Sequence, residues 1–165
     1  MARQGEGSWT VVEADYWYGL EPAVRQAEAA ATCCAESNVG CVLTGDVAVD
    51  VYAPWRLPAV GGLYIRGLLD YTVAGFTPTT DAKYTLVVTV PQDPTVWRTA
   101  AAAQPTGRVD PIIALHEVLG SPDAAEAAEH LRRAILDGTW RGSLRSADRP
   151  TPYLPFVRPP RHDTV

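Results

Sequence analysis

Lysine and asparagine are almost missing from this sequence: Lys83 is the one lysine beside thirteen arginines, and Asn38 is the one asparagine. Alanine, valine, proline and glycine are abundant instead, the pattern of GC-rich coding, so the arginine excess says little about phosphate recognition. No basic run occurs, and 14 basic against 19 acidic side chains leave a net charge of −5. Affinity for nucleic acid spread over the whole surface is therefore not expected. No stretch approaches the roughly 18 apolar residues of a membrane span, and residues 1–7 lack the apolar core of a signal peptide. The expected location is the cytoplasm, or a particle assembled there. Cysteine is scarce, with Cys33, Cys34 and Cys41 only; an odd count with two adjacent is no disulfide framework and suits a reducing interior. Gly-x-Ser-x-Gly and Gly-x-x-x-x-Gly-Lys segments are both missing, so no catalytic residue and no cofactor can be named from motifs.

What is present is a chain of 165 residues, 47% hydrophobic and 20% charged, enough to bury a core. Residues 8–18 are aromatic and β-branched and predict a strand. Leu20, Val24, Ala27, Ala31 and Cys34 then recur at steps of four and three, predicting an amphipathic helix with Pro22 in its first turn. From Cys41 the period becomes two. Cys41, Leu43, Val47, Val49 and Val51 share one face; Leu63, Ile65, Leu69, Tyr71 and Val73 repeat the pattern, as do Tyr84, Leu86, Val88 and Val90. Three such runs joined by turn-rich loops predict an antiparallel meander. Asp93-Pro94 and Asp110-Pro111 are cap-plus-proline signals ahead of two helices, and Ser121-Pro122 opens a third that stops at Gly138.

The expected fold class is α+β: an antiparallel sheet of three to four strands packed against an N-terminal helix and C-terminal helices. Residues 1–138 form a single domain in this reading, with sheet and first helix in 8–91 and a helical part in 93–138. Residues 139–165 form an extended arm, because the prolines between 150 and 160 remove donors and fix the backbone. Tyr153, Leu154, Phe156 and Val157 on that arm, together with Trp55 and Trp140, are the expected partner-binding residues.

The chemistry-bearing residues have plain explanations. Cys33, Cys34, Cys41 and His116 lack paired zinc-ligand spacing, so no metal is assigned. Asp46 and Asp50 on one strand would stand about 13 Å apart, too far for a carboxylate pair. Asp70 and Arg66 suit an exposed ion pair, and His116-Glu117 and His130 read as solvated or core residues. A helix, three antiparallel strands and a further helix resemble the restriction-endonuclease-like core. That likeness implies a metal-dependent nuclease, for which Asp81-Ala82-Lys83 is the nearest motif.

Two shorter likenesses involve other families. Residues 128–146, with a helix and a glycine-containing turn, resemble the opening of a GntR-type winged-helix domain, which implies DNA binding; the proline-punctuated stretch from Asp148 stands where a recognition helix would follow. The run Val49-Asp50-Val51-Tyr52-Ala53-Pro54 is similar to a strand of small siphophage tail-completion proteins. The function expected is non-enzymatic assembly through other protein chains, as a homo-oligomer or larger assembly, such as a phage or mobile-element structural component of virion, head–tail or tail. Its first alternative is a DNA-binding regulator using residues 110–138 with Arg132, Arg133, Arg141, Arg145 and Arg149. Its second is a small-molecule enzyme with a pocket between sheet and helices, lined by Asp50, Asp70, Tyr71 or His116.

Overall fold

The aromatic opening forms the strand expected of it, β1 (Val11–Tyr18). It is followed by α1 (Ala23–Glu36), β2 (Cys41–Leu43), α2 (Gly45–Tyr52), β3 (Gly61–Ile65), β4 (Thr77–Pro78) and β5 (Leu86–Pro91). Three further helices close the described chain: α3 (Thr95–Ala102), α4 (Pro111–Leu119) and α5 (Ala125–Asp137). The structure, a computed structural model, describes residues 11–103 and 106–141. The class is α+β. Residues 142–165, including Tyr153, Leu154, Phe156 and Val157, lie outside the described residues.

The sheet departs from the expected meander. Its order is β2-β3-β5-β1-β4, and β3 runs parallel to β5 while the other neighbours are antiparallel. Parallel neighbours need a long crossover. Residues 66–85 supply it, through a 3₁₀ turn at Tyr71–Ala74 and the short β4. Asp70 starts that turn by accepting from the Thr72 N–H at 2.9 Å, and Gly75 ends it at φ +86°. The second expected strand therefore stops at Ile65: Tyr71 is buried, whereas Val73 is exposed.

The first expected strand is also cut short. After three residues of β2 the chain turns at Gly45, φ +60°, into α2. Alternation of Val47, Val49 and Val51 predicts a strand, but α2 is wedged between two cores and buries Val47, Ala48, Val49 and Tyr52. A short helix apolar on several sides has no period to read. Asp46 and Asp50 thus lie on a helix, not a strand. Both Asp46 carboxylate oxygens accept from a single nitrogen, Arg56 Nη2, Oδ1 at 3.0 Å and Oδ2 at 2.9 Å.

Strand alternation sends Leu63, Ile65, Leu86, Val88 and Trp17 to one face, where α1 covers them with Ala27, Ala30, Cys33 and Cys34. The helical face seen from Leu20 is shifted: Leu20 itself is exposed, and Gln26 takes a buried place. Gln26 is satisfied there, donating to the carbonyls of Gly19 and Glu21 and accepting from Thr85 Oγ1 at 2.8 Å. The other core joins Val42 of β2 to α2, α3, α4 and α5 through Tyr52, Val96, Ala114, Val118 and Leu131. The Tyr52 hydroxyl donates to the Val109 carbonyl at 2.7 Å, and Leu43 bonds the backbone of Gly107 and Val109 at 2.9 Å. These bonds fix where α4 begins.

Asp110 is the N-cap of α4 as expected, whereas the N-cap of α3 is Pro94 and Asp93 bonds that first turn from one residue outside it. Asp93 Oδ1 accepts from Thr95 N at 2.8 Å, and Asp110 Oδ1 accepts from the N–H groups of Ile112 and Ile113 at 2.8 and 3.1 Å. The Ser121 cap is not used by α5, which starts one 3₁₀ turn later at an N-cap of Ala124 with no side-chain bond. Gly138, at φ +65°, ends α5 as expected. Asp110→Ala should lower stability by about 0.5–2 kcal/mol in urea unfolding, and Asp110→Asn should restore most of it.

Candidate functional site

The starts of α3 and α4 open on the same space. Between them, with Tyr64 of β3 as the floor, lies a cleft of about 260 Å³. The end of β5 contributes Pro91, Gln92 and Asp93; α3 contributes Thr95, Val96 and Thr99. From α4 come Ile112, Ile113, His116 and Glu117, with the Asp110 cap beside them. The walls are mostly hydrocarbon, with polar groups from the end of β5, from α3 and from α4. Apolar walls with a few convergent polar groups are the usual make-up of a small-molecule site.

Glu117 is the centre of this arrangement. Its Oε2 accepts from the Gly45 N–H at 2.8 Å and from the Thr44 hydroxyl, and the Tyr64 phenol lies near the carboxyl. The carboxylate of α4 thereby caps the N-terminus of α2, which has no side-chain cap of its own. Its other oxygen, Oε1, is buried without a hydrogen-bond partner. Burial pushes the Glu117 carboxyl above the usual carboxylate range, against the pull of its donors and of nearby His116. Burial likewise pushes the Tyr64 phenol up, with the negative charge of Glu117 adding to it. By contrast, Asp93 is held below the ordinary range, chiefly by the backbone N–H of Thr95.

Of the pocket residues expected from sequence, only His116 lines this cleft. Asp50 lies on α2, Asp70 caps the 3₁₀ turn, and Tyr71 is fully buried under α1 with Phe76 and Trp17 around it. From sequence His116-Glu117 reads as a solvated or core pair, because a single His-Glu pair carries no motif. The signal Glu117 does carry is its place as the one acid on the apolar helix PIIALHEVL.

The other candidate chemistry is dispersed. The Cys34 thiol meets the Tyr71 hydroxyl at 3.2 Å, and a bond from Cys41 draws Cys34 down while raising Cys41. Among the described residues no three His, Cys, Asp or Glu side chains are grouped to hold a metal ion. The segment Asp81-Ala82-Lys83 is an exposed turn before β5. Arg66 does not pair with Asp70; its guanidinium lies 4.3 Å over the Trp97 ring. Arg132 and Arg133 are both engaged by Glu129 at 2.7 Å.

Trp55 and Trp140 have different surroundings. Trp55 is 57% exposed, with its ring 4.8 Å from that of His130 and its indole N–H directed to Glu126 at 3.4 Å. Trp140 is partly buried against the helical core, and the next residue, Arg141, donates its N–H to the Tyr52 carbonyl at 2.8 Å. No helix among the described residues is long and apolar enough to cross a membrane. In comparison with known proteins, the chain matches no family model, no curated protein and no solved structure.

Proposed function

We propose that this domain binds a small organic molecule in the cleft between Tyr64, α3 and α4. One observation carries the reading: an apolar cleft of about 260 Å³ in which a few polar side chains, among them Thr95, Thr99, His116 and Glu117, stand in mostly hydrocarbon walls. Nothing in the lining has the make-up of an activated nucleophile, so the reading is of binding rather than turnover. Thr99→Phe places a ring in the cleft from α3. Fragments that shift the amide resonances of Tyr64, Val96 and Ile113 in the wild type should bind this variant at least tenfold more weakly. Equal binding to both proteins would move the site elsewhere.

A second reading, assembly through another copy of this chain, is favoured by the connection between α2 and β3. There Trp55 is joined by Leu57, which is 89% exposed. Large apolar side chains side by side on a loop suit an interface more than a solvated turn. In multi-angle light scattering the wild type should exceed the monomer mass, and a Trp55→Ser, Leu57→Ser double variant should return to it. A wild type that stays monomeric at high concentration rejects this reading.

A further inference from the structure

An apolar surface wider than the cleft itself runs along α4. Ile112 and Leu119 are 58% and 61% exposed and stand seven residues apart, so they share one stripe with His116 at the cleft. Beside that stripe Tyr64, Val96 and Ile113 line the cleft. Hydrocarbon gathered in this way gains free energy from a cover.

The chain itself carries a segment suited to be that cover. Tyr153, Leu154, Phe156 and Val157 fall within five residues, and Arg158 and Arg161 follow them. Residues 142–165 hold four arginines against two aspartates, a charge of +2; residues 1–141 hold 10 basic against 17 acidic side chains, a charge of −7. In the cleft lining Asp93, Asp110 and Glu117 are acidic and only His116 is basic. The two parts of the chain therefore attract. Length permits contact as well. The Arg141 N–H bonds the Tyr52 carbonyl at 2.8 Å, and the hydroxyl of the same tyrosine reaches the carbonyl of Val109, the neighbour of Asp110. One tyrosine thus separates Arg141 from the edge of the cleft, whereas residues 142–152 span about 36 Å when extended. Pro152 and Pro155 limit the freedom lost on docking, and a three-residue polyproline II turn would set Tyr153 and Phe156 on one edge. Segments of that form enter grooves lined with aromatic rings, and Tyr64 is the floor here.

Resting on the cleft reading above, we propose that residues 152–158 of the same chain occupy the cleft and the α4 stripe, so that a small molecule must displace them to bind.

Nuclear Overhauser contacts in the full chain test this. Ring protons of Tyr153 and Phe156 should contact the methyl groups of Val96 and Ile113, and in a mixture of two differently labelled preparations the contacts should stay within one chain. A Tyr153→Asp, Phe156→Asp double variant should lose them and should bind cleft fragments at least fivefold tighter than the wild type. Fivefold corresponds to a segment in place about four-fifths of the time. Thr99→Phe, which fills the cleft, should abolish the same contacts. Contacts seen only between differently labelled chains would make the occupant a second copy and overturn the assignment to the same chain. If residues 153–157 touch no cleft methyl group, and the double variant binds fragments as the wild type does, this inference falls and the cleft reading stands. If no fragment binds either protein, the small-molecule reading falls, and the displacement proposed here falls with it.

Discussion

Glu117→Ala is expected to lower the unfolding free energy by about 2–4 kcal/mol near neutral pH, read by urea denaturation. The Thr44 hydroxyl and the Gly45 N–H both bond this carboxyl. Removing the acceptor strands two donors, each costing about 1–3 kcal/mol if left buried and unpaired. Release of a poorly solvated carboxylate offsets part of that sum. Glu117→Gln keeps an acceptor for the same donors and removes the charge, so it should stay within about 1 kcal/mol of the wild type. The two variants also differ in pH behaviour. Burial raises the Glu117 carboxyl in the folded state, so folding favours its neutral form. Its contribution is therefore fully present below the unfolded-state value near 4.3 and is lost as pH rises through the folded value. Relative to Glu117→Gln, the wild type should lose stability on going from acid to neutral pH and then level off. His116 and Tyr64 are the titratable groups facing this carboxyl, and neither is altered in that comparison. A wild type that gains on the glutamine variant as pH rises would show that the carboxylate is better stabilised folded than unfolded.

Gly61→Val should have an effect of similar size, for reasons of space. A Cβ at Gly61 would stand 2.9 Å from Leu86 Cδ1 and 3.1 Å from the Ala23 carbonyl oxygen. Leu86 is fully buried and Ala23 O is backbone, so neither yields without moving β5 or α1. Overpacking of this kind costs about 1–3 kcal/mol, and valine's two methyl groups place the effect at the upper end. Gly67 is the control: its Cβ would meet nothing within 4 Å, so Gly67→Ala should change stability little. The midpoint of urea unfolding should fall sharply for the first and hold for the second. Equal, small changes would mean that β3 and α1 are less closely packed than these distances require.

Gly61-Gly62 illustrates what a sequence pattern leaves open. The pair reads as a turn, yet both residues belong to β3, and their missing side chains admit α1 on one side and Thr44 on the other. Asp93-Pro94, Asp110-Pro111 and Gly138 were legible because each acts through its own backbone within three or four residues. The period-2 run through Val47, Val49 and Val51 misled because its outcome depends on what surrounds α2. Two cores and the Glu117 carboxyl favour a helix where local β propensity favours a strand. The candidate site was hidden for the same reason. His116 was visible as a possible lining residue, but its partners Tyr64, Asp93 and Val96 come from elements whose adjacency no spacing encodes.

The amino-acid order by itself determined the α+β class, the helix starts near Asp93 and Asp110, and the apolar stripe of β5. These follow from steric and hydrogen-bonding preferences that operate over a few residues. Only the tertiary structure decided that β3 lies parallel to β5, that α2 is a helix, and that a lone acid on α4 meets Thr44, Gly45 and Tyr64. Those outcomes depend on burial and on partners more than fifty residues away for Glu117, where free energy is settled by contacts between elements and not within them.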